Sequence, residues 1–154
     1  MTVLVVDDTS ILRSILRDIL VEYCGVSRRN IFEAADGMQA LAEYKRLKPD
    51  IVYLDIAMPN LNGIETVRKI LAIDPNAKIV MCTGSGGESV VKECVRAGAM
   101  DYLVKPLSPS RVAVSVEKAT GGKIDTESIR EARRQSHSLS EAGHEIGREI
   151  DKDE

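Results

Sequence analysis

The sequence predicts an α/β domain, a five-stranded parallel sheet that is doubly wound, with helices on both faces. Three observations lead there. Four short apolar runs, at 3–6, 51–54, 78–82 and 102–104, have the length and composition of fully buried strands, and Ile31-Phe32-Glu33-Ala34 is a weaker fifth. Helical patterns lie between these runs, and five strand-then-helix units in this length imply parallel pairing with covered faces. The chain has 154 residues, 44% of them hydrophobic, enough for one ordinary core.

The first run, Val3-Leu4-Val5-Val6, leads into a stretch where Ile11, Leu12, Ile15, Leu16, Ile19 and Leu20 recur at i, i+3, i+4, predicting a helix with an apolar face and with Arg13, Arg17 and Asp18 elsewhere. Further helices are expected over 37–47, 63–73, 88–97 and 110–119. The last is contested locally, because Val112, Val114 and Val116 alternate like a strand while Val112, Ala113, Val116 and Ala119 make a helical face. Ser108 followed by Pro109 decides for the helix, since a capping hydroxyl and a proline at the first helical position mark a helix start.

Residues 1–120 form the expected domain. Beyond Gly121-Gly122 the composition changes: residues 121–154 carry nine acidic and six basic side chains, whereas 1–120 balance at fifteen of each. A helix over 126–135 is compatible with Ile129, Ala132 and Arg133 on one face, too weak a face to dock, and the tail beyond Ser136 is expected to be mobile. A net charge of −3 lacks the basic excess that nucleic-acid binding requires. The start has no basic leader, and its apolar run is too short for a signal peptide or membrane span, so a cytoplasmic protein that does not engage a membrane is expected. Cys24, Cys82 and Cys94 are odd in number and contain no C-x-x-C pair, so they read as reduced core thiols.

In an open parallel sheet, ligands gather outside the carboxyl ends of the strands, near the reversal of strand order. Asp7 and Asp8 follow the first strand, Asp55 ends the third, Thr83 the fourth and Lys105 the fifth. Taken singly, Asp7 or Asp8 could cap a helix, as could Thr9 or Ser10; Asp55 could serve a turn, Thr83 a local backbone bond, and Lys105 could be solvated. Together they describe one site. Three carboxylates at close range repel one another, a hard divalent cation relieves that repulsion, and Mg²⁺ is the natural occupant. One carboxylate could then act as nucleophile toward a phosphoryl donor, with Lys105 and Thr83 left to meet the phosphoryl oxygens. The run Thr83-Gly84-Ser85-Gly86-Gly87 lacks the lysine and Ser/Thr of a P-loop; Gly84 is expected to leave the site open and Gly86-Gly87 to let the next helix shift.

Over residues 1–120 the sequence closely resembles the response-regulator receiver family. The carriers are Asp7-Asp8 after the first strand, Tyr53-Leu54-Asp55-Ile56-Ala57-Met58-Pro59 with Gly63 following, Thr83-Gly84, and Asp101-Tyr102-Leu103-Val104-Lys105-Pro106. The resemblance implies a flavodoxin-like strand order of 2-1-3-4-5 and a phosphorylation-controlled regulator of two-component signalling, catalysing only its own phosphorylation and dephosphorylation. It implies Asp55 as the phosphoacceptor, Mg²⁺ held by Asp8, Asp55 and the backbone carbonyl of Ala57 with Asp7 acting largely through water, and a cis Lys105–Pro106 peptide. Thr83 and Tyr102 would be the coupled switch, and Ala57 and Ser85 occupy positions that tune phosphate lifetime. A sensor histidine kinase or phosphotransfer protein would supply the phosphoryl group. A target protein, or a second copy of the chain, would read the face of the fourth helix, fifth strand and fifth helix, whose residues Val91, Cys94, Val95, Tyr102, Val112 and Val116 comprise core and surface positions that the sequence does not separate. Two alternatives compete: a Mg²⁺-dependent phosphatase of the haloacid-dehalogenase kind, disfavoured because Asp7-Asp8 is not D-x-D and no cap domain is apparent, and a receiver fragment of a longer regulator.

Overall fold

A computed structural model describes residues 1–58, 61–84 and 87–122. Ser85, Gly86 and the tail features expected beyond residue 122 lie outside the described residues. Strands and helices alternate: β1 (Val3–Val6), α1 (Ser10–Cys24), β2 (Ile31–Ala34), α2 (Gly37–Leu47), β3 (Ile51–Asp55), α3 (Gly63–Ile73), β4 (Ile79–Thr83), α4 (Glu88–Ala97), β5 (Asp101–Val104) and α5 (Pro109–Thr120). All strand pairs are parallel, in the order β2-β1-β3-β4-β5.

Because side chains alternate across a strand, the sheet divides two cores. Val3, Val5, Tyr53, Val80, Cys82 and Leu103 point to one face, under Leu16, Ile19 and Leu20 of α1 and Val112 and Val116 of α5. Leu4, Val6, Val52, Leu54, Ile79 and Met81 point to the other, under Tyr44 of α2, Val67 and Ile70 of α3 and Cys94 of α4. Val114 is exposed while Val112, Ala113 and Val116 are buried, so the valines of α5 follow helical spacing. The face read for α1 is narrower than expected: Leu16, Ile19, Leu20 and Cys24 are buried, but Ile11 is 68% and Ile15 38% exposed. At 100° per residue these two lie together at one edge of the apolar stripe.

Local chemistry starts and stops the helices. Asp36 accepts from the Gln39 amide at 2.8 Å at the start of α2, Asn62 from the Glu65 amide at 2.9 Å at the start of α3, and Ser108 caps α5 with Pro109 behind it. The cap position of α1 is Thr9, whose side chain makes no capping bond. The three cysteines are free and buried, and burial pushes the Cys24 and Cys82 thiols up to about 12. Among the described residues no helix is long and apolar enough to cross a membrane.

Candidate functional site

Register brings the acidic residues together. Val6 pairs with Leu54 across β1 and β3, so the residues that follow, Asp7 and Asp55, emerge side by side at the carboxyl edge. This is where strand order reverses, since β1 lies between β2 and β3. Carboxylate oxygens of Asp7, Asp8 and Asp55 lie within 4.8 Å of one another; Asp7 and Asp55 are buried and Asp8 is exposed. Three hard oxygen donors at that spacing, one of them open to solvent, fit a small divalent cation.

Lys105 closes the cluster from β5. Its Nζ lies 3.2 Å from Asp7 Oδ2 and 3.3 Å from Asp55 Oδ1, while its amide donates to the Thr83 carbonyl at 2.8 Å. The Lys105–Pro106 peptide is cis. Burial does most to push the Asp55 carboxyl above its ordinary value; Lys105 opposes that, Asp7 adds to it, and the Ala57 amide supplies a hydrogen bond to the carboxylate. For Lys105 burial works against the charge, yet Asp55 and Asp7 together hold the ammonium above its usual range. Asp7 is pinned a second time, because the Thr9 amide donates to its Oδ1 at 2.9 Å.

The loop after Asp55 folds back on it. The Gly63 amide donates to the Ile56 carbonyl at 2.8 Å, and a Cβ at Gly63 would stand 2.4 Å from the Asp55 carbonyl oxygen, so only glycine lets α3 begin there. Gly37 is used similarly: a Cβ would lie 2.4 Å from Thr66 Oγ1, where the starts of α2 and α3 meet. At Gly84 a Cβ would meet nothing within 4 Å, so that position is open.

The remaining expected residues are more spread out. Thr83 is buried at the end of β4, beside β5. Tyr102 is half-buried on β5, packed against the apolar cluster under α4 rather than among the carboxylates, and its carbonyl accepts from Arg111 at 3.1 Å. Of the core and surface positions expected together on the α4, β5 and α5 face, Cys94, Val112 and Val116 are core and Val95 is exposed, and Val104 and Val114 are exposed there too. Arg13 and Glu33 were also missed. The Arg13 guanidinium donates to the Asp7 carbonyl and, at 2.9 Å, to Glu33 on β2. The available signal was an arginine five positions past Asp8 on the helix that leaves the site.

A family model, the response regulator receiver domain, matches residues 3–117. The chain belongs to the response regulator receiver family. It is 44% identical over 118 residues to the chemotaxis protein CheY of Thermotoga maritima, covering 77% of this chain and 96% of that one. The CheY of Bacillus subtilis is 39% identical over 116 residues, covering 75% and 94%. Among solved structures, the complex of CheX and CheY with BeF3 and Mg from Borrelia burgdorferi matches with a TM-score of 0.69 and 34% identity, covering 78% of this chain and 89% of that one. This receiver therefore belongs with signalling proteins of phosphorylation-controlled two-component systems rather than with conventional enzymes. Receivers bind Mg²⁺ at an acidic pocket, and CheY-like members interact with histidine kinases and downstream targets.

Proposed function

We propose that this receiver is a phosphorylation-controlled response regulator in which Asp55 accepts a phosphoryl group from a sensor histidine kinase or phosphotransfer protein. The observation that carries this is the bridging of Asp7 and Asp55 by one ammonium, inside a cluster of three carboxylates at the carboxyl edge of β1 and β3. Asp7, Asp8 and Asp55, with the backbone carbonyl of Ala57, would hold Mg²⁺, which supplies the positive charge that lets an anionic donor approach.

An Asp55 carboxylate oxygen forms a bond to phosphorus while the bond from phosphorus to the donor nitrogen, or to the oxygen of a small acyl phosphate, breaks; the leaving group keeps the electron pair. Lys105 exchanges its pairing with Asp55 for a phosphoryl oxygen, and the Thr83 hydroxyl donates to another. Gly84 leaves room for the group. Burial and the nearby Asp7 already disfavour charge on Asp55, so a bound cation and the new phosphoryl contacts both relieve the strain of the resting cluster. Thr83 and Tyr102 relay the change to α4, β5 and α5, where Val95, Val104 and Val114 are exposed for a downstream protein or for a second copy of the chain. Moving a two-state element from 1:99 to 99:1 takes about 5.5 kcal/mol of differential stabilisation. The domain assignment that goes with this reading is a receiver over 1–120 followed by an acidic segment over 121–154, in a cytoplasmic protein.

Incubation with acetyl phosphate and Mg²⁺ is expected to add one hydroxylamine-labile phosphoryl group, seen as a single mass increment. Asp55→Asn is expected to take up none. Equal labelling of that variant defeats the assignment.

A further inference from the structure

Arg13 stands outside the carboxylate cluster but holds its backbone. Its amide bonds to the Thr9 carbonyl at 3.2 Å in the first turn of α1, and its guanidinium folds back over the sheet edge. There Nη1 donates to the main-chain oxygen of Asp7, while Nε donates to Glu33 Oε1 at 2.9 Å. Glu33 pairs with Val5 in the β1–β2 ladder, so the sheet itself fixes the far end of this bridge. The Asp7 carbonyl belongs to the peptide plane that joins Asp7 to Asp8. Any rotation of that plane swings the Asp8 carboxylate relative to Asp7 and Asp55. The Asp7 side chain is tied by the Thr9 amide and by Lys105, whereas the exposed Asp8 carboxylate has a long 3.5 Å contact from Thr9 Oγ1.

We propose that Arg13 is a positioning residue for the cation site: by bridging the Asp7 carbonyl to Glu33 it fixes the Asp7–Asp8 peptide, so that the Asp8 carboxylate faces Asp55. Glu33 acts through Arg13. The inference rests on the reading that Asp7, Asp8 and Asp55 hold Mg²⁺. Charge and position pull in opposite directions here, which makes the role measurable. A guanidinium near a divalent cation repels it, so deleting Arg13 for its charge alone would tighten Mg²⁺ binding. Loss of the bridge would loosen it. Arg17 is a built-in control, because its Nη1 pairs with the other Glu33 oxygen at 3.0 Å and its Nη2 contacts Ser14 at 3.3 Å.

Titration calorimetry with MgCl₂ on the full chain, without phosphodonor, tests this, alongside thermal midpoints of the metal-free proteins. Arg13→Met is expected to weaken Mg²⁺ binding about tenfold, the low end for residues that orient metal ligands. Arg13→Lys should weaken it similarly, since an ammonium does not reproduce the fork that spans both acceptors, and it keeps the measurement possible if the Met variant folds poorly. Arg17→Met should change affinity less than about twofold even where it lowers the thermal midpoint as much, as expected of a partly exposed ion pair away from the ligands. Glu33→Ala should weaken binding in the wild-type background and add little to Arg13→Met. Wild-type or tighter affinity in either Arg13 variant overturns the proposal, and so does an equal loss from Arg17→Met. A wild-type chain that takes up no Mg²⁺ overturns the underlying reading as well, whereas normal wild-type uptake with unchanged Arg13 variants overturns this one alone.

Discussion

Asp55 carries an unfavourable charge in the resting site. It is 6% exposed, shares Lys105 with Asp7, and its carboxyl is pushed above its ordinary value by burial before any other cause. A buried carboxylate whose pKa is raised above its ordinary value is less stable in its ionised form than in water, and that costs stability at neutral pH. Asp55→Asn is therefore expected to raise the thermal midpoint of the metal-free protein, and Mg²⁺ to raise the midpoint of the wild type more than that of the variant. At a hundredfold excess over its Kd the cation would stabilise the wild type by about 2.7 kcal/mol. Differential scanning calorimetry with EDTA and with MgCl₂ checks both; a lower midpoint for metal-free Asp55→Asn would show that the Lys105 pairing outweighs burial. At this scale the candidate site was legible, since Asp7, Asp8, Asp55, Thr83 and Lys105 stand at strand ends in the chain itself. Arg13 was not, because a charged residue on the polar side of a helical pattern reads as solvated until its partners are known.

At the scale of elements, periodicity found the helices and strands because each pattern is set by near neighbours, as with the capped start of α5. The breadth of a buried face is not local. Ile11 and Ile15 repeat at helical spacing with Leu12 and Leu16, and only the docking of α1 on the sheet and beside α5 decides which of them is covered. The contact between α2 and α3 has a pH dependence of its own. The Tyr44 hydroxyl donates to Asp74 Oδ2 at 2.7 Å, and that bond first, then one from the Asn76 amide, holds the Asp74 carboxyl below its ordinary value. A depressed carboxylate contributes stability that is present above its unfolded pKa and is lost as pH falls through the folded one. Tyr44→Phe is expected to be less stable than wild type at neutral pH, with the difference shrinking through the acid range. Urea midpoints measured from pH 7 to pH 3 test this, and a gap that stays constant would assign the loss to packing alone.

Across the whole molecule, a buried polar link joins β3, at the centre of the sheet, to α5 on one of its faces. The Tyr53 hydroxyl lies 2.7 Å from Ser115 Oγ, which itself donates to the Val112 carbonyl at 2.6 Å. The single serine proton is committed to Val112, so Tyr53 is the donor to Ser115. Tyr53→Phe is expected to cost about 1 kcal/mol by leaving an acceptor unmet. In a double-mutant cycle with Ser115→Ala, the combined loss should fall short of the sum by at least about 0.5 kcal/mol. Additive losses in urea unfolding would mean that β3 and α5 are held together by apolar contact only.

The amino-acid sequence by itself determined the alternation of strand and helix, the parallel sheet, and the residue types gathered at its carboxyl edge, because those follow from side-chain periodicity and from the end of each apolar run. The tertiary structure alone decided the meeting of residues far apart in the chain. Lys105 reaches Asp7 across 98 positions, Tyr53 reaches Ser115 across 62, and Arg13 reaches a carboxylate on β2 across 20. Such distances are set by strand order, register and the docking of helices, which no local pattern encodes. The acidic residues at the strand ends could be read from a line of text; the bonds that aim and restrain them required the fold.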